Sequence, residues 1–267
     1  MSDFKIGINY GGTKIEGILI DSNGKEILRK RSTYEKNYES GLNTVKSLVS
    51  EFDKFTDQQN SVGVCIPGFS SYETGLVNNA NCIWINDKPF HKDLEKSLNR
   101  EIRIMNDANC FALSEAIDGS GANYKSVWGV IIGSGFGGSF VYEKKVIEGV
   151  NQIAGDWGHQ PLPYPTAEEI NSNVQCNVGN CKRPLCAEQF ISGIGFTKLF
   201  NEKYGTSLRT REIVALEANG DERAKKEFEL YEDRFARLIS VMIGIVDPEV
   251  IVFGGGMSNV GRLYDNI

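Results

Sequence analysis

The sequence predicts an α/β protein built from two related halves, and two observations support this prediction. Short apolar runs typical of strands alternate with longer stretches in which apolar residues recur every three to four positions, as in amphipathic helices. In addition, an apolar strand, a glycine turn and a second apolar strand occur near the start, IGINYGGTKIEGILI, and return later as WGVIIGSGFGGSFVY. A repeat of this kind suggests two α/β halves of similar construction.

The first half is predicted to open with a three-stranded antiparallel meander. Gly11-Gly12 separates the first two apolar runs, and Asn23-Gly24, a tight-turn signal, separates the second run from the third. Apolar side chains recur at helical spacing over residues 41–57, so a helix should follow the meander. The same half should also contain two buried strands and one more helix, at residues 62–67, 102–105 and 107–117.

The second half is predicted to repeat the strand–turn–strand opening and then to become mainly helical. Strands at 127–132 and 139–142 flank a glycine-rich turn at 133–138, and Lys144-Lys145 turns into a third strand. The later part should contain three helices and a last strand, at residues 187–204, 210–218, 221–246 and 250–253.

The chain is long enough for two domains of ordinary size, with 267 residues. The segment DGSGANYK at 118–125 is rich in residues that favour loops and is the best boundary candidate. It would separate a smaller N-terminal α/β domain, residues 1–118, from a larger C-terminal α/β domain, residues 119–267.

Composition and charge exclude several classes of function. Forty per cent of the residues are apolar and 24 per cent are charged, which is normal for a globular protein. The net charge is -6 and no long basic run occurs, so nucleic acid is not expected as a partner. The chain has neither a signal-peptide pattern nor an apolar window of membrane-spanning length, which predicts a cytoplasmic protein without a membrane partner. Its six cysteines should then be reduced unless a metal binds them.

Three glycine turns, each after an apolar strand, are candidates for binding phosphate groups. Glycine lets a phosphate approach the main chain closely, where backbone N–H groups can bind it. None of the turns fits the G-x-x-x-x-G-K-[ST] loop or a dinucleotide fingerprint, so a phosphate site would belong to another architecture. The candidate residues are Asn9, Gly11, Gly12, Thr13 and Lys14, then Gly133, Ser134, Gly135 and Gly137, and finally Gly254, Gly255 and Gly256.

Seven segments in order resemble the motifs of the ROK family, which contains repressors, open-reading-frame proteins and kinases. They are IGINYGGTKIEG, GVCIPG, NDANCFALSEA, GSGFGG, AGDWGH, CAEQFISGIGF and DPEVIVFGGGMSN. The resemblance implies two ribonuclease-H-like domains of the actin and hexokinase type around a central cleft. Within the family, residues 75–121 look most like bacterial fructokinases and mannokinases, with N-acetylglucosamine and glucose kinases as the alternative.

The resemblance implies that the chain uses ATP and Mg²⁺ to phosphorylate a hexose hydroxyl, by family analogy the 6-hydroxyl. Phosphoryl transfer needs positioning, neutralisation of the phosphate charge and a carboxylate that accepts the hydroxyl proton. Asp107 matches the family's catalytic base, although a plain helix N-cap is the alternative interpretation of its local sequence. Asn106 and Gly68 match residues that bind the sugar. By the same resemblance, relatives are often homodimers.

Three further residues match the family's sugar site, namely Asp156, His159 and Glu188. The alternative for Glu188 is an exposed glutamate in the first turn of a helix, which is a favourable placement. The second histidine of the chain, His91, lies in a charged, helix-like segment and is interpreted as solvated.

A structural zinc site is also implied by the resemblance. The segment CNVGNCKRPLCAE differs from the family's zinc motif in the position of its first cysteine and in having Lys182 and Leu185 where relatives have glycine. A His-Cys₃ set of His159, Cys176, Cys181 and Cys186 could still bind Zn²⁺ tetrahedrally, the alternative being reduced surface thiols. Zinc would fix the loop that contains His159 and Glu188 and would not activate a water.

Departures from the family pattern leave room for a weakened kinase or a protein that only binds sugar. Relatives carry Asp in place of Asn9 and Glu in place of Asp156, and they extend beyond Ile267, so the family's C-terminal end is expected to be missing. Asn9 removes a negative charge that supports Mg²⁺. A sugar-sensing repressor is disfavoured, because the first family strand begins at Phe4 and leaves no room for a helix-turn-helix.

Overall fold

The computed structural model describes residues 4–172, 174–176 and 181–267, and it divides into two compact α/β units. The first unit comprises the chain up to Cys110 together with Gly149–Ile153. The second unit comprises Phe111–Glu148 and Ala154–Ile267. The domain boundary between residues 118 and 119 stays a prediction.

The first unit is built on a five-stranded sheet with the order β3-β2-β1-β4-β7. β1, β2 and β3 form the expected antiparallel meander, whereas β1, β4 and β7 run parallel. A short hairpin of β5 and β6 lies outside this sheet. The seven strands are β1 Phe4–Tyr10, β2 Lys14–Asp21, β3 Glu26–Thr33, β4 Ser61–Ile66, β5 Phe69–Ser70, β6 Val77–Asn78 and β7 Arg103–Asn106.

The helices of the first unit are α1 Tyr38–Thr56, α2 Phe90–Leu98 and the start of α3 Asp107–Ile117. α1 buries the predicted apolar stripe against the sheet, including Val45, Val49 and Phe52. His91, interpreted as solvated, is partly exposed. Its Nε2 lies 3.1 Å from the carbonyl oxygen of Ile102, the residue before β7.

The second unit contains a four-stranded sheet with the order β10-β9-β8-β11, in which β8 and β11 are parallel. Its strands are β8 Ser126–Ile132, β9 Phe136–Tyr142, β10 Lys145–Val146 and β11 Val250–Gly254. The predicted turn at 133–138 is too long, because β9 already begins at Phe136 and includes Gly137 and Gly138. Glycine is needed at 138 for packing: a Cβ there would lie 3.0 Å and 3.3 Å from the indole nitrogens of Trp157 and Trp128.

Six helices of the described chain follow α3, and they cover the second sheet. They are α4 Ala167–Asn171, α5 Ala187–Ile191, α6 Gly193–Tyr204, α7 Thr210–Ala218, α8 Glu222–Val246 and α9 Arg262–Asn266. The single helix predicted over 187–204 is in fact two helices. Ser192 has extended backbone angles, and its side chain accepts a hydrogen bond from the N–H of Gly195, so it ends α5 and caps α6. Throughout the part of the chain that the structure describes, no helix is both long and apolar enough to cross a membrane.

Glu169 is a buried carboxylate that ties α4 to α8. It accepts hydrogen bonds from Arg234 and Arg237 at 2.8 Å, and from the N–H of Thr166 at 2.9 Å. Burial opposes ionisation of Glu169, but the hydrogen bonds from the arginines and from Thr166 outweigh it and lower its pKa. Arg237 also donates to the carbonyl oxygens of Pro163 and Tyr164.

We expect Glu169→Gln to lower the free energy of unfolding by about 3 kcal/mol at pH 7, because it leaves buried guanidinium groups without their anion. The pKa is lowered in the folded state, so the stabilisation is present above the unfolded pKa and is lost as pH falls through the folded pKa. Urea titrations at pH 7 and at pH 4 should therefore show a smaller difference at the lower pH. Glu168→Gln, on the exposed neighbour, should change stability by less than about 0.5 kcal/mol. A deficit for Glu169→Gln that is the same at both pH values would contradict the account.

Candidate active site

The carboxyl edge of the parallel strands in the first unit collects the predicted residues of that half. β1 pairs with β4 and β4 pairs with β7, so Asn9 lies opposite Cys65, and Ile66 opposite Asn106. Gly68 follows β4 by two residues, and the Gly11-Gly12 turn follows β1 directly. In open α/β sheets, ligands bind at this edge.

Asn106 has two structural roles at this edge. Its Oδ1 accepts hydrogen bonds from the N–H groups of Ala108 at 2.9 Å and Asn109 at 3.3 Å, so it caps α3. Its Nδ2 donates to the carbonyl oxygen of Gly68 at 2.8 Å. Gly68 has a φ of 79°, and a Cβ there would lie 2.4 Å from the carbonyl oxygen of Asn78, so only glycine fits.

Asp107 is the first residue of α3, and its side chain is exposed. One carboxylate oxygen accepts a hydrogen bond from the N–H of Ala108 at 2.9 Å. The positive end of the helix dipole favours the ionised carboxylate at this position. Because Asn106 bonds two of the first helical N–H groups, the helix does not depend on Asp107 as its cap.

Asn9 and the first glycine turn are held by neighbouring side chains. The Cys65 thiol donates to Oδ1 of Asn9 at 3.4 Å, which orients the amide. The Tyr34 hydroxyl donates to the carbonyl oxygen of Gly11 at 2.8 Å. Thr13 and Lys14, at the end of the turn, are exposed.

In the second unit, two glycine turns meet at the carboxyl ends of the adjacent parallel strands β8 and β11. Gly255 has a φ of 85°, and a Cβ there would lie 2.9 Å from the nitrogen of Gly133, so the turns touch through their backbones. The carbonyl oxygen of Gly133 accepts a hydrogen bond from the N–H of Gly193 at 2.8 Å, which joins the turn to the start of α6.

A cavity of about 440 Å³ opens beside these turns, within the second unit. The turns, α6, α7 and the segment after β11 form its walls. Its lining residues are Gly133, Ser134, Gly193, Ile194, Thr210, Arg211, Val214, Gly256, Met257, Asn259 and Val260. Its volume lies within the range of small-molecule sites.

The sequence pointed only to the glycine turns and Ser134 among these lining residues. The contributions of α6 and α7 were missed. The motif ISGIGF contained a usable signal for α6, the glycine at position 193. In the structure, a Cβ at Gly193 would lie 3.0 Å from the carbonyl oxygen of Gly133. Thr210, Arg211 and Val214 carry no comparable local signal, since their place in the cavity depends on how α7 packs.

Glu188 is buried, and the alternative of an exposed glutamate is wrong. Its side chain is 5 % exposed, and Oε2 accepts a hydrogen bond from the N–H of Phe136 at 2.9 Å. Burial raises the pKa of Glu188 to about 7, and the negative charge of Asp156 also raises it, whereas the bond from Phe136 lowers it. Asp156 itself is exposed, at the start of the segment that also contains Gly158 and His159.

His159, Cys176, Cys181 and Cys186 come together as predicted. One ligand atom from each residue lies within 4.8 Å of all the others. The Sγ atoms of Cys181 and Cys186 are 3.8 Å apart, and Nδ1 of His159 lies 3.4 Å from Sγ of Cys186. Tetrahedral zinc with ordinary bond lengths places sulfurs about 3.8 Å apart and nitrogen and sulfur about 3.5 Å apart. The spacing and chemistry of this donor set therefore fit Zn²⁺.

Two backbone angles in this loop explain the family's glycines. Lys182 and Leu185 have φ values of 57° and 50°, in the left-handed region that glycine adopts without strain. Glycine at these two positions would adopt the same backbone angles without strain. Each replacement is expected to cost about 1–2 kcal/mol.

With two α/β units that carry glycine turns at the carboxyl ends of their central strands, this is a two-domain α/β protein. Comparison with known proteins then identifies its family. The ROK family model matches residues 5–267, and the chain belongs to the ROK family.

Curated relatives and a solved structure agree with this assignment. The chain is 38% identical over 266 residues to an N-acetyl-D-glucosamine kinase of Pasteurella multocida, covering 98% of this chain and 86% of that protein. It is 39% identical over 254 residues to an N-acetyl-D-glucosamine kinase of Citrobacter koseri, covering 95% and 84%. The ROK hexokinase structure from Thermus thermophilus superposes with a TM-score of 0.84 at 21% identity, covering 98% of this chain and 86% of that one. This likeness confirms the two-domain, hexokinase-type α/β fold.

The expected resemblance to fructokinases and mannokinases is corrected by these comparisons. The relatives described above are named as kinases of N-acetyl-D-glucosamine, which was the alternative. The sequence-based preference rested on residues 75–121. That run holds the structural motif NDANCFALSEA, whose Asn106 caps α3 and donates to Gly68, and such a motif does not distinguish one hexose from another.

Proposed function

We propose that this protein is an ATP-dependent sugar kinase that phosphorylates the 6-hydroxyl of N-acetyl-D-glucosamine. The observation that supports this most is the geometry at the start of α3. Asn106 caps the helix and contacts Gly68, while the Asp107 carboxylate stands beside it at the carboxyl edge of the sheet. The names of the Pasteurella and Citrobacter relatives support the choice of sugar.

In the proposed reaction, Asp107 accepts the proton of the attacking hydroxyl. Asn106, the backbone at Gly68, Asp156, His159 and Glu188 hold the sugar. The glycine turns bind the phosphates through backbone N–H groups, with the hydroxyl of Ser134 beside them. The cavity in the second unit receives the base of the nucleotide, because it opens next to two of these turns. Mg²⁺, when bound, would offset the phosphate charge, and Asn9 would support it more weakly than the Asp of relatives.

We propose that His159, Cys176, Cys181 and Cys186 hold a structural Zn²⁺. Nδ1 of His159 faces Cys186, so the histidine would bind the metal through Nδ1 and offer Nε2 to the sugar. The N–H of Cys176 donates to the carbonyl oxygen of Arg183 at 2.9 Å, which ties Cys176 to the segment that precedes Cys186. The metal would fix the loop that precedes Glu188.

A coupled assay of ATP consumption against a panel of hexoses tests the proposal directly. N-acetyl-D-glucosamine should give the highest kcat/KM, above glucose, mannose and fructose. A best substrate among the other three would overturn the choice of sugar and leave the kinase assignment intact. Turnover of none of them, with sugar binding retained, would support the weakened protein that Asn9 and Asp156 suggest.

Asn9→Asp should raise kcat by about tenfold, which corresponds to about 1.4 kcal/mol of transition-state stabilisation. The substitution restores a carboxylate that strengthens the hold on Mg²⁺. Initial rates at several Mg²⁺ concentrations would measure the effect, and the half-saturating Mg²⁺ concentration should fall. Asn99→Asp makes the same change in charge at the C-cap of α2 and should leave kcat unchanged. If Asn9→Asp brings no gain, the assigned role of Asn9 is wrong.

A further inference from the structure

We propose that Glu188 is also a positioning residue for the glycine turn at residues 133–135, and that this carboxylate couples sugar binding to nucleotide binding. The inference rests on the proposed function, because it takes the sugar to contact Glu188. It adds a second role for the same side chain within the second unit.

One side of the Glu188 carboxylate faces the phosphate turn. Oε2 accepts the N–H of Phe136, the residue that follows the turn and begins β9. Oε1 would lie 3.0 Å from a Cβ at Gly135, so the turn runs directly over the carboxylate. The other end of the turn is held by the bond from Gly193 to the carbonyl oxygen of Gly133, at 2.8 Å. The turn is therefore held at both ends by contacts outside its own hairpin, and Glu188 supplies the contact at Phe136.

The oxygen that accepts the N–H of Phe136, Oε2, also lies against the segment that is proposed to bind sugar. The N–H of Glu188 donates to the carbonyl oxygen of Gly158 at 2.7 Å. A Cβ at Gly158 would lie 2.7 Å from Oε2 of Glu188 and 1.9 Å from the carbonyl oxygen of Phe136. Glycine at 158 therefore lets the main chain beside His159 pack directly against both the carboxylate and the turn.

Burial makes this contact strong, and so does the charge of Glu188 at a pH above its pKa of about 7. A hydrogen bond from a backbone N–H to a carboxylate is about twice as strong as one between neutral groups. In a side chain that is 5 % exposed, water competes poorly for that bond. A sugar hydroxyl that donates to the same carboxylate would restrict its rotation, and would thereby order the turn that binds the nucleotide phosphates. By linkage, the nucleotide must favour sugar binding by the same factor.

Glu188→Gln and Glu188→Ala should have different effects, because the two new side chains differ in the hydrogen bonds that they can accept. A carboxylate has two acceptor oxygens, whereas a glutamine amide has one. Glu188→Gln can still accept from Phe136 and should keep nucleotide affinity in the absence of sugar. With that oxygen held by Phe136, the other terminal group of glutamine is an NH₂ donor, which replaces an acceptor oxygen, so the coupling through a donated sugar hydroxyl should be lost. Glu188→Ala accepts from neither group and should weaken nucleotide binding even when no sugar is present.

Isothermal titration with AMP-PNP and Mg²⁺, with and without N-acetyl-D-glucosamine, tests the proposal. In the unaltered protein, the sugar should raise nucleotide affinity about fivefold or more. Without sugar, Glu188→Ala should lower the affinity about tenfold, and Glu188→Gln should lower it less than about twofold. Glu168→Ala, on the exposed face of α4, should change neither value.

Three results would overturn the proposal. The first is a folded Glu188→Ala protein with undiminished nucleotide affinity, and the second is a Glu188→Gln protein that retains the coupling. The third is an unaltered protein in which bound sugar leaves nucleotide affinity unchanged. If the unaltered protein binds no N-acetyl-D-glucosamine, the choice of sugar fails, while the titrations without sugar still test the positioning role.

Discussion

Asp107→Asn should lower kcat by about 10²–10⁴-fold, because it removes the group that accepts the proton of the sugar hydroxyl. The substitution keeps the shape of the side chain and can still accept the N–H of Ala108. α3 should remain intact, since Asn106 bonds the N–H groups of Ala108 and Asn109. The dissociation constant of the sugar should therefore change by less than about threefold, so that the loss falls on kcat and leaves sugar affinity nearly intact.

Steady-state kinetics and sugar titration, on the same preparation, measure this split. Asp57→Asn is a matched control, because Asp57 is an exposed residue in the left-handed C-cap of α1 and asparagine tolerates that conformation. The control should be as active as the unaltered protein. An Asp107→Asn protein that turns over at the normal rate would exclude Asp107 as the base. A protein that lost sugar binding to the same extent would show that Asp107 mainly binds the sugar.

Removal of one proposed zinc ligand should lower both the stability of the protein and its affinity for the sugar. Elemental analysis of the purified protein should find about one zinc per chain, and Cys176→Ser should abolish it. Structural zinc contributes on the order of 10 kcal/mol or more of binding free energy. The loop that precedes Glu188 should therefore lose its fixed conformation, with a lower melting temperature and about 100-fold weaker sugar affinity, as expected for loss of a supporting site.

Two comparisons make the zinc experiment specific. Cys82→Ser makes the same atomic change at a buried cysteine outside the cluster and should retain the metal. Treatment of the unaltered protein with a chelator should reproduce the Cys176→Ser phenotype, and added Zn²⁺ should reverse it. A protein that contains no zinc when purified, and whose stability is insensitive to the chelator, would favour the alternative of reduced thiols.

The secondary structure was largely predictable because its signals are local. The apolar stripe that defines α1 and the bounds of α3 and α7 agree with the periodicity of the sequence. Errors arose at the ends of elements, which apolar periodicity does not fix. Strand β9 begins already at Phe136 because this residue pairs with Ile132 of β8, and the helix breaks at Ser192 because its side chain caps α6.

Candidate residues were found where their chemistry is rare in the sequence. Three cysteines close together in the sequence, with His159 in a segment that resembles a ROK motif, suggest a metal site, because thiolate and imidazole are the usual ligands of zinc. The identity of the sugar could not be found in this way. Discrimination between hexoses depends on the shape of a pocket, and a pocket is formed by segments far apart in the chain.

By itself, the sequence determined the α/β class and the repeated strand–turn–strand opening, because period and turn chemistry act over a few neighbouring residues. Its resemblance to the ROK motifs singled out Asn106, Asp107, His159 and the three cysteines. Only the tertiary structure decided that Glu188 is buried against the glycine turn at residues 133–135, and that α6 and α7 complete a cavity beside it. Burial and cavity shape are sums of contacts between segments that are distant in sequence, and no local pattern encodes them.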